Sequence, residues 1–69
     1  MRTRFKTGEQ IEAIVTAPDS FYKRVIGNVT TVSLGRVHIQ ATKVIDKWSD
    51  DWKNHPTSCS MSVPFENVV

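Results

Sequence analysis

The run RVHIQAT, residues 36–42, alternates polar and apolar side chains without a break. Val37, Ile39 and Ala41 fall on one side of an extended chain, and Arg36, His38, Gln40 and Thr42 on the other. A helix cannot use that pattern, because its apolar positions recur every three or four residues. The same period returns in SCSMSV, where Ser58, Ser60 and Ser62 alternate with Cys59, Met61 and Val63. Near the N-terminus Ile11, Ala13 and Val15 oppose Glu12, Ile14 and Thr16 in the same way. No stretch carries the spacing of a long amphipathic helix, so the chain is predicted to be all-β.

RVIGNVTTVS, residues 24–33, is rich in β-branched residues and reads as a further strand. Val25 and Val29 share a face but Val32 falls on the opposite one, which calls for a bulge or bend at Gly27-Asn28 or Thr30-Thr31. Gly8 is expected in a turn, Pro18-Asp19-Ser20 in a loop, and Ser33-Leu34-Gly35 in a hairpin turn. After Val44-Ile45 the alternation stops. Residues 46–57 are polar, contain both tryptophans, and are expected to form a loop or short helical excursion. Asp46 would cap one or two turns, and Asn54 and Pro56 would end them. Pro64 should stop the strand that follows. Pro64 to Asn67 then reads as one helical turn, and Val68-Val69 as a minimal fifth strand against the first. A sheet this small cannot leave an apolar face wet, so it is expected to curl into a barrel. Val37, Ile39, Met61, Val63 and Phe65 would form its core, with Phe65 as a plug.

With 69 residues the chain reads as one domain, residues 1–69. Such a domain buries only about 60% of the surface its unfolded chain exposes. Cys59 is the single cysteine, so no internal disulfide supports the core, and a cytoplasmic location is expected. MRTRFKTGEQ has Arg2, Arg4 and Lys6 in alternation but no apolar core of a signal peptide. No apolar run reaches the roughly 18 residues of a membrane span, so no membrane association is expected. A core of this size favours a homo-oligomer or a bound partner as a source of added stability.

Three segments carry a resemblance. FKTGEQIEAIV is similar to the start of small Src-homology-3-like barrels, in which an aromatic, a glycine and an acidic residue precede the first strand. VIGNVTTVSLGRVHI resembles the KOW-type hairpin, with Gly27, Val29 and Val32 on one arm and Val37 and Ile39 on the other. VPFENVV resembles the strand, proline-led turn and closing strand of such barrels. The resemblance implies a five-stranded barrel; the Trp-containing excursion before the fourth strand lies outside the three segments that carry it. The resemblance also implies a role in binding, since members of this superfold bind RNA, ribosomes, polymerases, modified tails or proline-rich peptides. The acidic-aromatic first loop and tandem tryptophans of the peptide-binding members have no match here, so proline-rich ligands are not inferred. An Sm-like reading of the central hairpin would imply a ring, but residues 1–10 do not resemble the helix with which such proteins begin.

Catalysis finds no support in the residue pattern. His38, His55, Ser49, Asp50, Asp51 and Cys59 are organised by no GxSxG, HExxH, CxxC or glycine-rich phosphate loop. Asp50, Asp51, His55 and Cys59 match no standard metal spacing, and no cofactor or metal is expected. Two surfaces are candidates for binding. The first is the excursion, with Trp48, Asp50, Asp51, Trp52 and Lys53. Its carboxylates disfavour a phosphate backbone and suit a protein surface, with Trp48 expected as a buried lid and Trp52 as an exposed anchor. The second is a basic strand face with stacking aromatics, formed by Phe21, Tyr22, Lys23, Arg24, Arg36, His38 and Lys43, which would suit RNA or DNA. The charge is split: residues 1–45 carry seven basic and three acidic side chains, and residues 46–69 carry two and four. The formal net charge of +2 is too small to favour nucleic acid strongly. The leading expectation is a non-catalytic protein-binding module, such as a small inhibitor or accessory factor of a larger complex, of the kind phage and other small viral genomes encode. The alternative is an RNA- or DNA-binding barrel.

Overall fold

Four strands follow one another among the described residues: β1 (Gln10–Ile14), β2 (Tyr22–Ser33), β3 (Arg36–Asp46) and β4 (Lys53–Pro64). The computed structural model describes residues 3–69, with the backbone alone for 56–58. Arg2 and the side chain of Ser58 therefore lie outside the described residues. The sheet is an antiparallel meander in the order β1-β2-β3-β4. Short local connections explain the order, because an antiparallel neighbour needs only a turn. Gly35, at φ +76°, supplies the left-handed residue of the Leu34-Gly35 turn between β2 and β3.

The alternations seen in the sequence set the faces of the sheet. Ile11, Ala13, Val25, Val29, Val37, Ile39, Ala41, Val44 and Val63 form one buried cluster. Val15, Cys59, Met61, Phe65 and Val68 pack against it while only partly buried. Val32 is 40% exposed, as its change of face required. The β2–β3 register slips between Tyr22 and Arg24, between Ile26 and Gly27 and between Val29 and Thr31, so irregularities lie at both of the places expected as alternatives. At Gly27 the backbone of β3 comes so close that an added Cβ would lie 2.6 Å from the Gln40 carbonyl oxygen. The largest fully buried side chains are Ile39, Val25, Val29, Val37 and Val44, each worth roughly 1.5–3 kcal/mol on burial.

Several expectations need correction. The polar excursion is shorter than residues 46–57 and is not helical: only 47–52 leave the sheet, since Lys53 and Asn54 already pair with Val44 and Lys43. A polar sequence is no obstacle there, because β4 lies at the edge of the sheet and its side chains can stay wet. Pro56 is tolerated in β4 for the same reason. The predicted turn after Pro64 is a 3-10 helix, Phe65–Asn67. The fifth strand is reduced to a bridge between Val68 and Ala13, with the Val69 N–H donating to the Glu12 carbonyl at 2.9 Å. The hydrogen-bonded sheet thus has four strands and does not close into a barrel. Phe65 is half-buried and lies 5.4 Å from the Phe5 ring, so it flanks the core and does not plug it. Met61 is also only half-buried, because among the described residues no further strand covers that edge.

Gly27→Ala tests the tightest approach in the fold. The added methyl must push β2 and β3 apart, and the expected cost is about 1–3 kcal/mol. Urea denaturation should show a lower midpoint with an unchanged slope. An unchanged midpoint would mean the two strands separate at no cost.

Candidate functional site

Tyr22 pairs with Asp46, so the residue before β2 and the residues after β3 emerge at the same end of the sheet. The Lys47 N–H donates to the Phe21 carbonyl at 3.0 Å, extending the pairing beyond the strands. The Ser49 N–H then returns to the Asp46 carbonyl at 3.1 Å, closing a tight turn with Trp48 at its tip. This brings the Phe21 and Trp48 rings to 6.4 Å between centroids, tilted by 54°. That separation is within the attractive range for aromatic pairs. Both rings remain in water, Phe21 at 68% and Trp48 at 80% exposure.

Polar contacts hold the two loops beneath the rings. Lys47 Nζ donates to the Pro18 carbonyl at 2.8 Å. Lys23 Nζ pairs with an Asp50 carboxylate oxygen at 2.8 Å, and Lys53 pairs with Asp46. Behind them Tyr22 meets His55 edge-on, with 3.2 Å between the phenol oxygen and Nε2. The Lys23 ammonium, by its hydrogen bond and its charge, holds the Asp50 carboxyl below its ordinary value. A lowered carboxyl contributes above its ordinary titration range and loses that contribution as pH falls through the lowered value. This contact is therefore intact throughout the neutral range.

The lid expected at Trp48 is not found, while Trp52 is exposed as expected, though less so than Trp48. Trp48, expected as the lid, is the more exposed ring, whereas Trp52 is 38% exposed. The reason is the turn: a tight reversal leaves its tip residue with nothing above it, while Trp52 adjoins β4 as the chain returns to the sheet. Asp50 and Asp51 are exposed, and the Asp51 N–H donates to Ser49 Oγ at 3.1 Å.

The basic residues form no single cluster. Lys23 belongs to the loop end, while Arg36 lies at the opposite end of the β2–β3 ribbon, paired with Ser33. Arg24 is in an ion pair with Glu12 across β1 and β2. Arg36 donates to Ser62, at 3.2 Å to Oγ and 3.0 Å to the carbonyl. His38 Nε2 lies 2.7 Å from Ser33 Oγ, and Lys43 is exposed. Phe21 joins Trp48, so the structure merges parts of the two sequence-derived sets. An unbroken count outward from the Leu34-Gly35 turn would set Phe21 opposite Trp48, but the register slips pair Tyr22 with Asp46 and set Phe21 opposite Lys47, so the tight turn after Asp46 is what brings the two rings together.

No family model matches the chain, and no curated protein or solved structure matches it significantly. Among the described residues no helix is long and apolar enough to cross a membrane.

Acrylamide quenching separates the two tryptophans. Trp48→Phe should remove the red-shifted, readily quenched emission, and Trp52→Phe should leave it. Equal loss from the two variants would contradict the difference in exposure.

Proposed function

We propose that the protein is a non-catalytic binding module of Src-homology-3-like architecture that acts by protein–protein contact through its loop end. The observation that carries this reading is the exposed Phe21–Trp48 pair, held in place by contacts between the two loops. Free rings that water must surround are costly in isolation and rewarding when a partner covers them, and tryptophan is enriched among binding hot spots. The charge around the rings supports a protein partner over nucleic acid. Lys23 and Lys53 are matched by Asp50 and Asp46, which leaves little net positive charge to attract phosphate. Meander order, the 3-10 turn and the Val68 bridge support the likeness to Src-homology-3-like domains, although the sheet stays open. A role as inhibitor or accessory factor of a larger complex, as in small viral genomes, suits a surface with one prominent aromatic anchor.

Capture from a cell lysate, with and without nuclease, tests this reading. The wild-type protein should retain a protein partner after nuclease treatment and at raised salt, since a mainly apolar contact is little screened. Trp48→Ala should weaken capture by about 2 kcal/mol or more while leaving the melting temperature unchanged. Capture that nuclease abolishes, or that Trp48→Ala leaves intact, would overturn the proposal.

A further inference from the structure

β4 is an open edge of the sheet. Among the described residues, the backbone groups of 59–63 bond to no other backbone than β3. The direction of the unused groups follows from the ladder. The Phe65 N–H donates to the Gly35 carbonyl at 3.1 Å, and hydrogen-bonded pairs alternate along an antiparallel ladder. Val63, Met61 and Cys59 therefore bond inward to Val37, Ile39 and Ala41. Ser62 and Ser60 turn their N–H and C=O groups outward. The Arg36 guanidinium contact on the Ser62 carbonyl agrees with this, since the side chain occupies a group that the β3 backbone does not use. At Ser60, which is exposed, both outward groups are open.

Natural edges are commonly protected by charges of their own, whereas here the charge on the edge is the Arg36 guanidinium, which reaches it from β3 at Ser62. Residues 56–64, PTSCSMSVP, contain no acidic or basic side chain. They also mirror themselves about Ser60. Cys59 matches Met61, Ser58 matches Ser62, Thr57 matches Val63, and Pro56 matches Pro64. An antiparallel pairing of two identical strands on a two-fold axis sets each residue against its mirror position. A strand with this pattern is therefore complementary to its own copy.

We propose that the protein forms a symmetric homodimer by pairing β4 with β4 of a second copy, with the two-fold axis at Ser60. The two Ser60 residues exchange N–H···O=C bonds. Cys59 and Met61 of one copy meet Met61 and Cys59 of the other on the core side of the sheet. Both are half-buried in the single chain and pack against its core cluster, so the pairing extends that core sideways. The loop end that carries Phe21 and Trp48 takes no part, so this proposal stands independently of the proposed partner contact. The shared strand is short, which places the dimer in the weak, concentration-dependent class.

Sedimentation over about 10 μM to 2 mM reads the equilibrium directly. The wild type should shift from monomer to dimer across that range. Ser60→Lys and Ser60→Glu set like charges face to face, and each alone should raise the dissociation constant about tenfold or more. An equimolar mixture of the two variants should recover the dimer, since an ammonium and a carboxylate then face each other across the axis. Ser60 is exposed, so circular dichroism should show both variants folded. As a second measure, Cys59→Ser/Ser60→Cys should form a disulfide-linked dimer on oxidation, whereas Cys59→Ser/Asn28→Cys, exposed on β2, should not. A wild type that stays monomeric at about 2 mM, a concentration at which weak pairs form, overturns the proposal, even if the edge accepts a strand from another protein. A dimer indifferent to the Ser60 charges, or equal cross-linking from Asn28→Cys and Ser60→Cys, overturns it as well.

Discussion

The close approach of β3 to Gly27 sets much of what the molecule does. A Cβ at that position would meet the Gln40 carbonyl oxygen and the Ala41 Cα, so the two strands can touch only because a side chain is missing. The register slips at the same place, and slips of this kind bend a strand and increase its twist. A bent β2 lets one short sheet wrap its Val and Ile face around a core that contains no buried polar side chain among the described residues. The 3-10 turn and Val68 then bring the chain end back to β1. Without the bend, Ala13 and Val68 would lie on distant edges of a flat meander.

The β2–β3 ribbon also determines where the aromatic rings stand. Its far end carries the Leu34-Gly35 turn, and its near end delivers Phe21 and Trp48 side by side. The core beneath is made of small β-branched residues, which leave little room for an indole. Trp48 therefore stays outside, and the Lys47–Pro18 and Lys23–Asp50 contacts orient the loops that display it. Exposed pairs of this kind contribute little to the stability of the free chain. The open edge of β4 is a second surface with the same property, built from backbone groups and not from rings.

Much of this arrangement is legible in the residue pattern. The alternation in residues 36–42 and 59–63 identifies the buried face because a two-residue period admits only one inward set. A bulge at Gly27-Asn28 or Thr30-Thr31 is signalled by Val32, which falls out of phase with Val25 and Val29. The final turn and the contact of Val68 with β1 follow from Pro64 and the apolar pair Val68-Val69. By contrast, the length of the excursion is not legible, because a polar composition reads as loop although an edge strand can be equally polar. The roles of the two tryptophans are hidden for a related reason. A four-residue spacing has meaning only on a helix, and the chain makes a tight turn there instead.

What the sequence determined by itself is therefore the strand character, the inward faces and the turns, all of which depend on neighbours within a few residues. It also contained the mirror pattern around Ser60, which needs no structure to see. Tertiary structure decided which edge stays open, which carbonyl Arg36 reaches, and that Phe21 and Trp48 share one end. Those outcomes depend on contacts between residues far apart in the chain. Their geometry follows from accumulated bulges and twist, which no local pattern of residues encodes.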